Sequence, residues 1–183
     1  MSLLKRTHYT ALLAACLLLF TGLSHADSRE EIDARVEEAL TELYTQSSAA
    51  KELAYRAAGV LVFPNVVKGG FILGGEYGEG ALLVNGETVD YYNIASAALG
   101  VVAGLQAKSE ILLFMDEKVL NEFRASRGWT VGADADVAIA TLGTGGTVDF
   151  LKAGSPVVAF VFANKGLMIN LSIDGSKITR IRK

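Results

Sequence analysis

The chain has 183 residues with a net charge of −3, and its Lys and Arg number 17 against 20 Asp and Glu. Its histidines (His8, His25) and its single cysteine (Cys16) fall within the first 26 residues, so residues 27–183 lack imidazole and thiol altogether. That excludes intramolecular disulfides, His or Cys metal ligands, and nucleophiles activated by histidine from that segment. An acidic chain with no broad basic face also speaks against nucleic acid as a partner.

Lys5 and Arg6 precede an apolar run from Tyr9 to Leu23, and Ser24-His25-Ala26 offers small residues at a cleavage site. This layout predicts a secretory signal peptide over residues 1–26, cut after Ala26, and a periplasmic or secreted product. Loss of Lys5 and Arg6 with it takes the net charge from −3 to −5. Two competing readings are an uncleaved anchor and a lipoprotein box, Leu13-Ala14-Ala15-Cys16, that would acylate Cys16. The anchor would be shorter than the ~20 residues a span needs.

Ser28-Arg29-Glu30-Glu31 reads as a capping box that opens a helix. Ile32, Val36, Leu40 and Leu43 form one apolar stripe, which predicts a helix over Ser28 to Tyr44 with its glutamates on the wet side. Ser47 or Ser48 caps a second helix through Ala58, with Leu53, Ala54 and Ala57 inward. Strands begin at Val60, and Pro64, which has no N–H, is expected to stop the first of them. The glycines between Gly69 and Gly80 suit close backbone approach. They match neither a Walker loop nor the G-x-G-x-x-G fingerprint.

Ala81–Val84 and Glu87–Tyr92 flank Asn85-Gly86, the dipeptide a type I′ hairpin turn prefers. The run from Tyr91 to Ala107 is uncharged, but Asn93, Ser96, Gly100, Gly104 and Gln106 interrupt it, so buried strands are expected rather than a membrane span. Glu110–Met115 continues as strand, and Asp116 caps a short helix with Val119, Leu120 and Phe123 inward, ended by Gly128. Trp129–Ala140 is expected as strand, Leu142–Val148 as a turn, and Pro156–Ala163 as strand. A tight turn at Asn164-Lys165-Gly166, a strand with Leu167, Ile169, Leu171 and Ile173 inward, and an Asp174-Gly175 turn lead into Ser176–Arg182. With no helical crossover, the sheet should be mainly antiparallel. The expected fold is α+β, with the N-terminal helices packed on a curled sheet or flattened barrel and one further short helix.

Three passages carry a family likeness in the right order: AAGVLVFPNVVKGGFILGGEYGEGALLV, LGVVAGLQAKSEILLFMDEKVLNEF followed by VGADADVAIATLG, and VFANKGLMINLSIDGSKI. Together they resemble the SYLF lipid-binding domain family, relatives of a yeast actin regulator, from about Glu52 to Ile178. The resemblance implies a non-enzymatic domain that binds anionic, phosphoinositide-like lipid headgroups; with the helices read over 28–58 and mainly β structure from 60, residues 27–183 are expected to form one domain of that type. It departs from eukaryotic members at the N-terminus, where they place a basic amphipathic helix and this chain has an acidic one. An anionic bilayer would repel that helix; and because a periplasm holds no actin, an actin partner is not expected.

The candidate headgroup contacts are Lys68, Lys152, Lys165, Lys177, Arg180, Arg182 and Lys183. Residues 150–183 hold six bases against Asp174 alone, whereas residues 27–52 hold eight acids against three bases. A basic rim gains ~1 kcal/mol per near-surface charge at an anionic membrane. The acidic helix supports a second reading, an envelope module that binds a protein partner. Carboxylate pairs at Glu76/Glu79 and Asp134/Asp136 are the only hydrolase candidates, and no cofactor or metal motif accompanies them.

Overall fold

The computed structural model describes residues 27–70, 73–99, 106–142, 147–150, 154–163, 166–167, 173 and 175–183. The expected signal segment, Lys152, Lys165 and most of the Leu142–Val148 and Asn164–Leu171 stretches lie outside the described residues.

Helix α1 spans Arg29–Gln46 and α2 spans Ser48–Arg56. The Ser28 side chain accepts from the Glu31 N–H, and the Glu31 carboxylate accepts from the Ser28 N–H, so the capping box is complete. Ser47 ends α1 and caps α2 through its hydroxyl, which accepts from the Ala50 N–H. The strands are β1 (Gly59–Gly70), β2 (Leu73–Val84), β3 (Glu87–Leu99), β4 (Gln106–Phe114), β5 (Trp129–Thr130), β6 (Val137–Leu142), β7 (Val148–Phe150), β8 (Val157–Ala163), β9 (Gly166–Leu167) and β10 (Lys177–Ile181). Helix α3, Glu117–Ala125, follows β4 and is capped by Asp116, whose carboxylate accepts from Lys118 and Val119.

The strands form one sheet in the order β5-β10-β3-β2-β1-β4-β8-β6-β7, with β9 on β8. Among the described strands the sheet stays open, with β5 and β7 as its edges, so the expected α+β sheet is present but does not close into a barrel. It is mostly antiparallel; β6 and β8 pair parallel, Val137 to Ala140 against Val157 to Phe160. Trp129–Ala140 is not one strand, because Gly132 at φ 80° turns the chain between β5 and β6.

Both faces of the sheet are covered. Ile32, Val36, Ala39, Leu43, Ala50 and Ala54 of the first two helices pack on Val62, Ala81, Ile111, Leu113, Val158 and Phe160. On the other face Leu120 and Phe123 of α3, with Trp129, close over Leu61, Phe63, Leu82, Tyr92, Ile94 and Phe114. The ring of Phe123 lies 4.8 Å from Tyr92, 4.9 Å from Phe114, and edge-on to Trp129 at 5.6 Å. No helix of the described residues is long and apolar enough to cross a membrane.

Pro64 does not end β1. The ladder slips between Val62 and Val67 against β2, and between Phe63 and Val66 against β4. One extra residue on β1 absorbs the proline in a bulge, where its missing N–H costs no ladder bond. The Ser109 hydroxyl donates to the Pro64 carbonyl at 2.8 Å and closes the bulge from β4. The bulge explains the glycines of β2: a Cβ on Gly80 would sit 2.0 Å from the Val62 carbonyl oxygen. The Asn85-Gly86 turn has φ 54° and 81°, as a type I′ turn requires.

Candidate functional site: a basic groove where the two ends of the fold meet

β10 lies between β5 and β3 and carries Arg180 opposite Tyr92 and Ile181 opposite Tyr91. Beyond it the chain passes the start of α1. There Arg180, Arg182 and Lys183 line one groove with Arg29, the first residue of α1, over a floor of Val89, Asp90 and Tyr91. The Arg29 guanidinium stands 5.8 Å over the Tyr91 ring and donates to the Lys183 carbonyl. Arg180 is ion-paired with Asp90, which also faces Arg124 at 3.7 Å. The Lys183 ammonium donates to Glu79 at 2.5 Å and to the Asp27 carbonyl at 2.8 Å.

The groove therefore gathers four cations, two of them already paired: Arg180 with Asp90 and Lys183 with Glu79. Arg182 is exposed, and half of the Arg180 side chain remains accessible (52%). The positive end of the α1 dipole adds to the field there. Such a site suits a multiply charged anion, because guanidinium groups bind phosphate oxygens in pairs.

The remaining candidates stand elsewhere. Lys177 is exposed on β10, its stem packed near Gly128. Lys68 belongs to a partly buried chain of charges on the α3-covered face. It lies 3.1 Å from Glu76; Glu76 lies 2.7 Å from Lys108, and Lys108 lies 2.9 Å from Glu110. The contacts at Lys108 and Glu110 are short in distance but lack hydrogen-bond alignment, so charge rather than directed bonding holds them. Burial pushes the Glu110 carboxyl up, and nearby Lys108 offsets that only partly. Burial pushes Glu76 up too, but Lys108 and then Lys68 outweigh it, and its net direction is down. Lys108 is pulled down by burial and more strongly up by Glu110 and Glu76, and ends above its ordinary value.

The carboxylates that were hydrolase candidates are engaged separately. Glu76 serves the two lysines, while Glu79 accepts from Tyr77 at 3.0 Å and from Lys183. Asp134 accepts from the Thr130 N–H at 2.5 Å and closes the turn after β5. Among the described residues, no group of three or more His, Cys, Asp or Glu gathers to hold a metal.

Arg29 is the groove residue that the reading of the sequence passed over, being counted inside an acidic helix. Its signal is a base in the first helical turn, where acids are the favoured charge.

The family model described as "Ysc84: Las17-binding protein actin regulator" matches residues 95–183. The match takes in the second and third of the passages that carry the family likeness, and with them Arg180, Arg182 and Lys183. The glycine-rich β1–β2 passage lies outside it. No curated protein matches the chain.

Proposed function

We propose that this chain binds anionic lipid headgroups at a cell-envelope membrane without catalysis; the reading is supported by the match of residues 95–183 to the Ysc84 (SYLF) family, which is associated with lipid binding and actin regulation. The observation that carries this reading is the convergence of Arg29, Arg180, Arg182 and Lys183 on one groove. The reading includes export by cleavage after Ala26, for which intact mass of the purified product is the test; a diacylated Cys16 would overturn it. Actin is no part of the reading.

Vesicle co-sedimentation tests it. The chain should pellet with vesicles containing an anionic phospholipid and stay in solution with neutral ones. Arg182→Ala should weaken binding about fivefold, in line with ~1 kcal/mol per near-surface charge. Equal binding to neutral vesicles, or no loss in an Arg29→Ala/Arg182→Ala double variant, would overturn the groove as the headgroup site.

The exposed Glu30, Glu37 and Glu38 of α1 favour one second reading, a protein partner with a basic surface. Crosslinked protein partners that survive detergent would support it, and Glu37→Lys/Glu38→Lys should abolish them.

A further inference from the structure

A cleft of about 760 Å³ separates α1 and α2 from the ends of β1 and β2 and from the β2–β3 turn. Its volume lies within the ~300–1,000 Å³ typical of small-molecule sites. Its walls are mixed: Leu40 and Tyr44 of α1, Ala57 and Tyr55 at the end of α2, and Val60 and Leu83 of the sheet give an apolar strip, flanked by Asp33, Glu37, Thr41 and Thr88. Tyr55 stacks on Tyr44 at 6.2 Å yet leaves 74% of its surface in water, the most exposed large apolar group among the described residues.

The cleft and the basic groove are neighbours, since Thr88 lines both. Between them stands Asp33, a carboxylate that would oppose an anionic or apolar ligand. Both of its oxygens are occupied: it accepts from the Thr88 hydroxyl at 3.0 Å and from the Tyr91 hydroxyl at 2.9 Å. From Asp33 to Tyr44 the helix advances roughly 16 Å, at ~1.5 Å per residue. One leaflet of a ~30 Å hydrocarbon core is about 15 Å deep. The cleft, with its apolar strip, thus has about the length of one lipid chain and adjoins the cationic groove at Thr88.

We propose that the cleft takes one acyl chain of an anionic phospho-amphiphile whose phosphate sits in the groove beyond Thr88. This rests on the headgroup reading and adds to it: the ligand is held as a single molecule with a chain drawn out of the bilayer, not merely touched at the surface. The exposed Glu37 at the cleft rim makes a cationic amphiphile or basic peptide the rival occupant.

Calorimetric titration of the full chain with butyl, octyl, decyl and dodecyl phosphate, each below its micelle concentration, separates the possibilities. Affinity should rise two- to fourfold per added methylene, the upper value corresponding to ~0.8 kcal/mol for each one buried. Ala57→Phe, which fills the cleft, and Leu40→Gln, which wets it, should each flatten this rise and leave butyl phosphate unaffected. Arg182→Ala should weaken all four equally. Binding that is flat with chain length, a rise that survives both cleft variants, or tighter binding of dodecyltrimethylammonium than of dodecyl phosphate would each overturn the proposal. If anionic vesicles still pellet the protein while the chain-length series is flat, the headgroup reading stands and the cleft proposal falls. If neither vesicles nor alkyl phosphates bind, both fall.

Discussion

At the scale of single residues, Lys108 and Glu110 are the most deeply buried ion pair among the described residues, with side chains only 5% and 1% exposed. Removing one member of a buried pair leaves an uncompensated charge, so Lys108→Met should cost about 3–5 kcal/mol in urea denaturation. Adding Glu110→Leu should recover most of that loss, since apolar replacement of a buried pair is often neutral. The pH dependence follows from the directions of the shifts. Glu110, raised in the fold, contributes stability that is present below its ordinary 4.5 and is lost as pH rises through its folded value. Glu76, lowered, contributes above 4.5 and loses that contribution as pH falls through its folded value. Glu110→Gln should therefore gain on the wild type as pH rises above 4.5, which chemical denaturation at a series of pH values would read. Parallel wild-type and variant curves would count against it. Tyr92 is a simpler case. Burial, then Asp90, raises its phenol to about 12, and its hydroxyl has no hydrogen-bond partner among the described residues. Tyr92→Phe should leave the melting temperature unchanged or raise it, because an unpaired buried hydroxyl contributes nothing to the native state.

At the scale of elements, the sequence was readable where the determinant is local. Ser28 with Glu31, Ser47, Asp116 and Asn85-Gly86 each mark a boundary within a few residues of chain, and each cap and turn is where that chemistry puts it. Ser28→Ala should cost about 1 kcal/mol of stability. What could not be read locally are relations between strands. Pro64 looks like a strand end because its tolerance depends on a register slip shared with β2 and β4. The parallel β6–β8 pair likewise depends on which strands become neighbours. Glycine 80 and glycine 86 divide along the same line. Gly86 answers a local demand, a positive φ in open space, whereas Gly80 answers the approach of the Val62 carbonyl from the next strand. Gly86→Ala should cost on the order of 1 kcal/mol from left-handed backbone strain. Gly80→Ala should cost on the order of 3 kcal/mol or more, because backbone must move. Thermal melts that rank the two in the opposite order would refute the bulge as the reason for that glycine.

At the scale of the whole molecule, the fold ties its two described ends together. Lys183 bonds both Glu79 of β2 and the Asp27 carbonyl ahead of α1, with its side chain only 8% exposed. Lys183→Ala strips a partner from a mostly buried carboxylate and should destabilise by about 1–3 kcal/mol, with faster amide exchange at the start of α1. The candidate groove shares this architecture, which explains how much of it could be foreseen. Arg180, Arg182 and Lys183 were visible as a basic stretch, but their union with Arg29 is produced by a contact across the length of the domain.

That β10 occupies an interior place in the strand order has a further consequence. Until residues 177–181 arrive, Tyr91 to Ala95 of β3 present a row of free amide and carbonyl groups along one side. An unclosed edge of that kind recruits other chains. The β1–β2–β3 meander can assemble from near neighbours, whereas its last seam must wait for the most distant stretch of polypeptide, a slow step. Any shortened product that stops before Lys177 should therefore clump rather than persist as a smaller soluble domain.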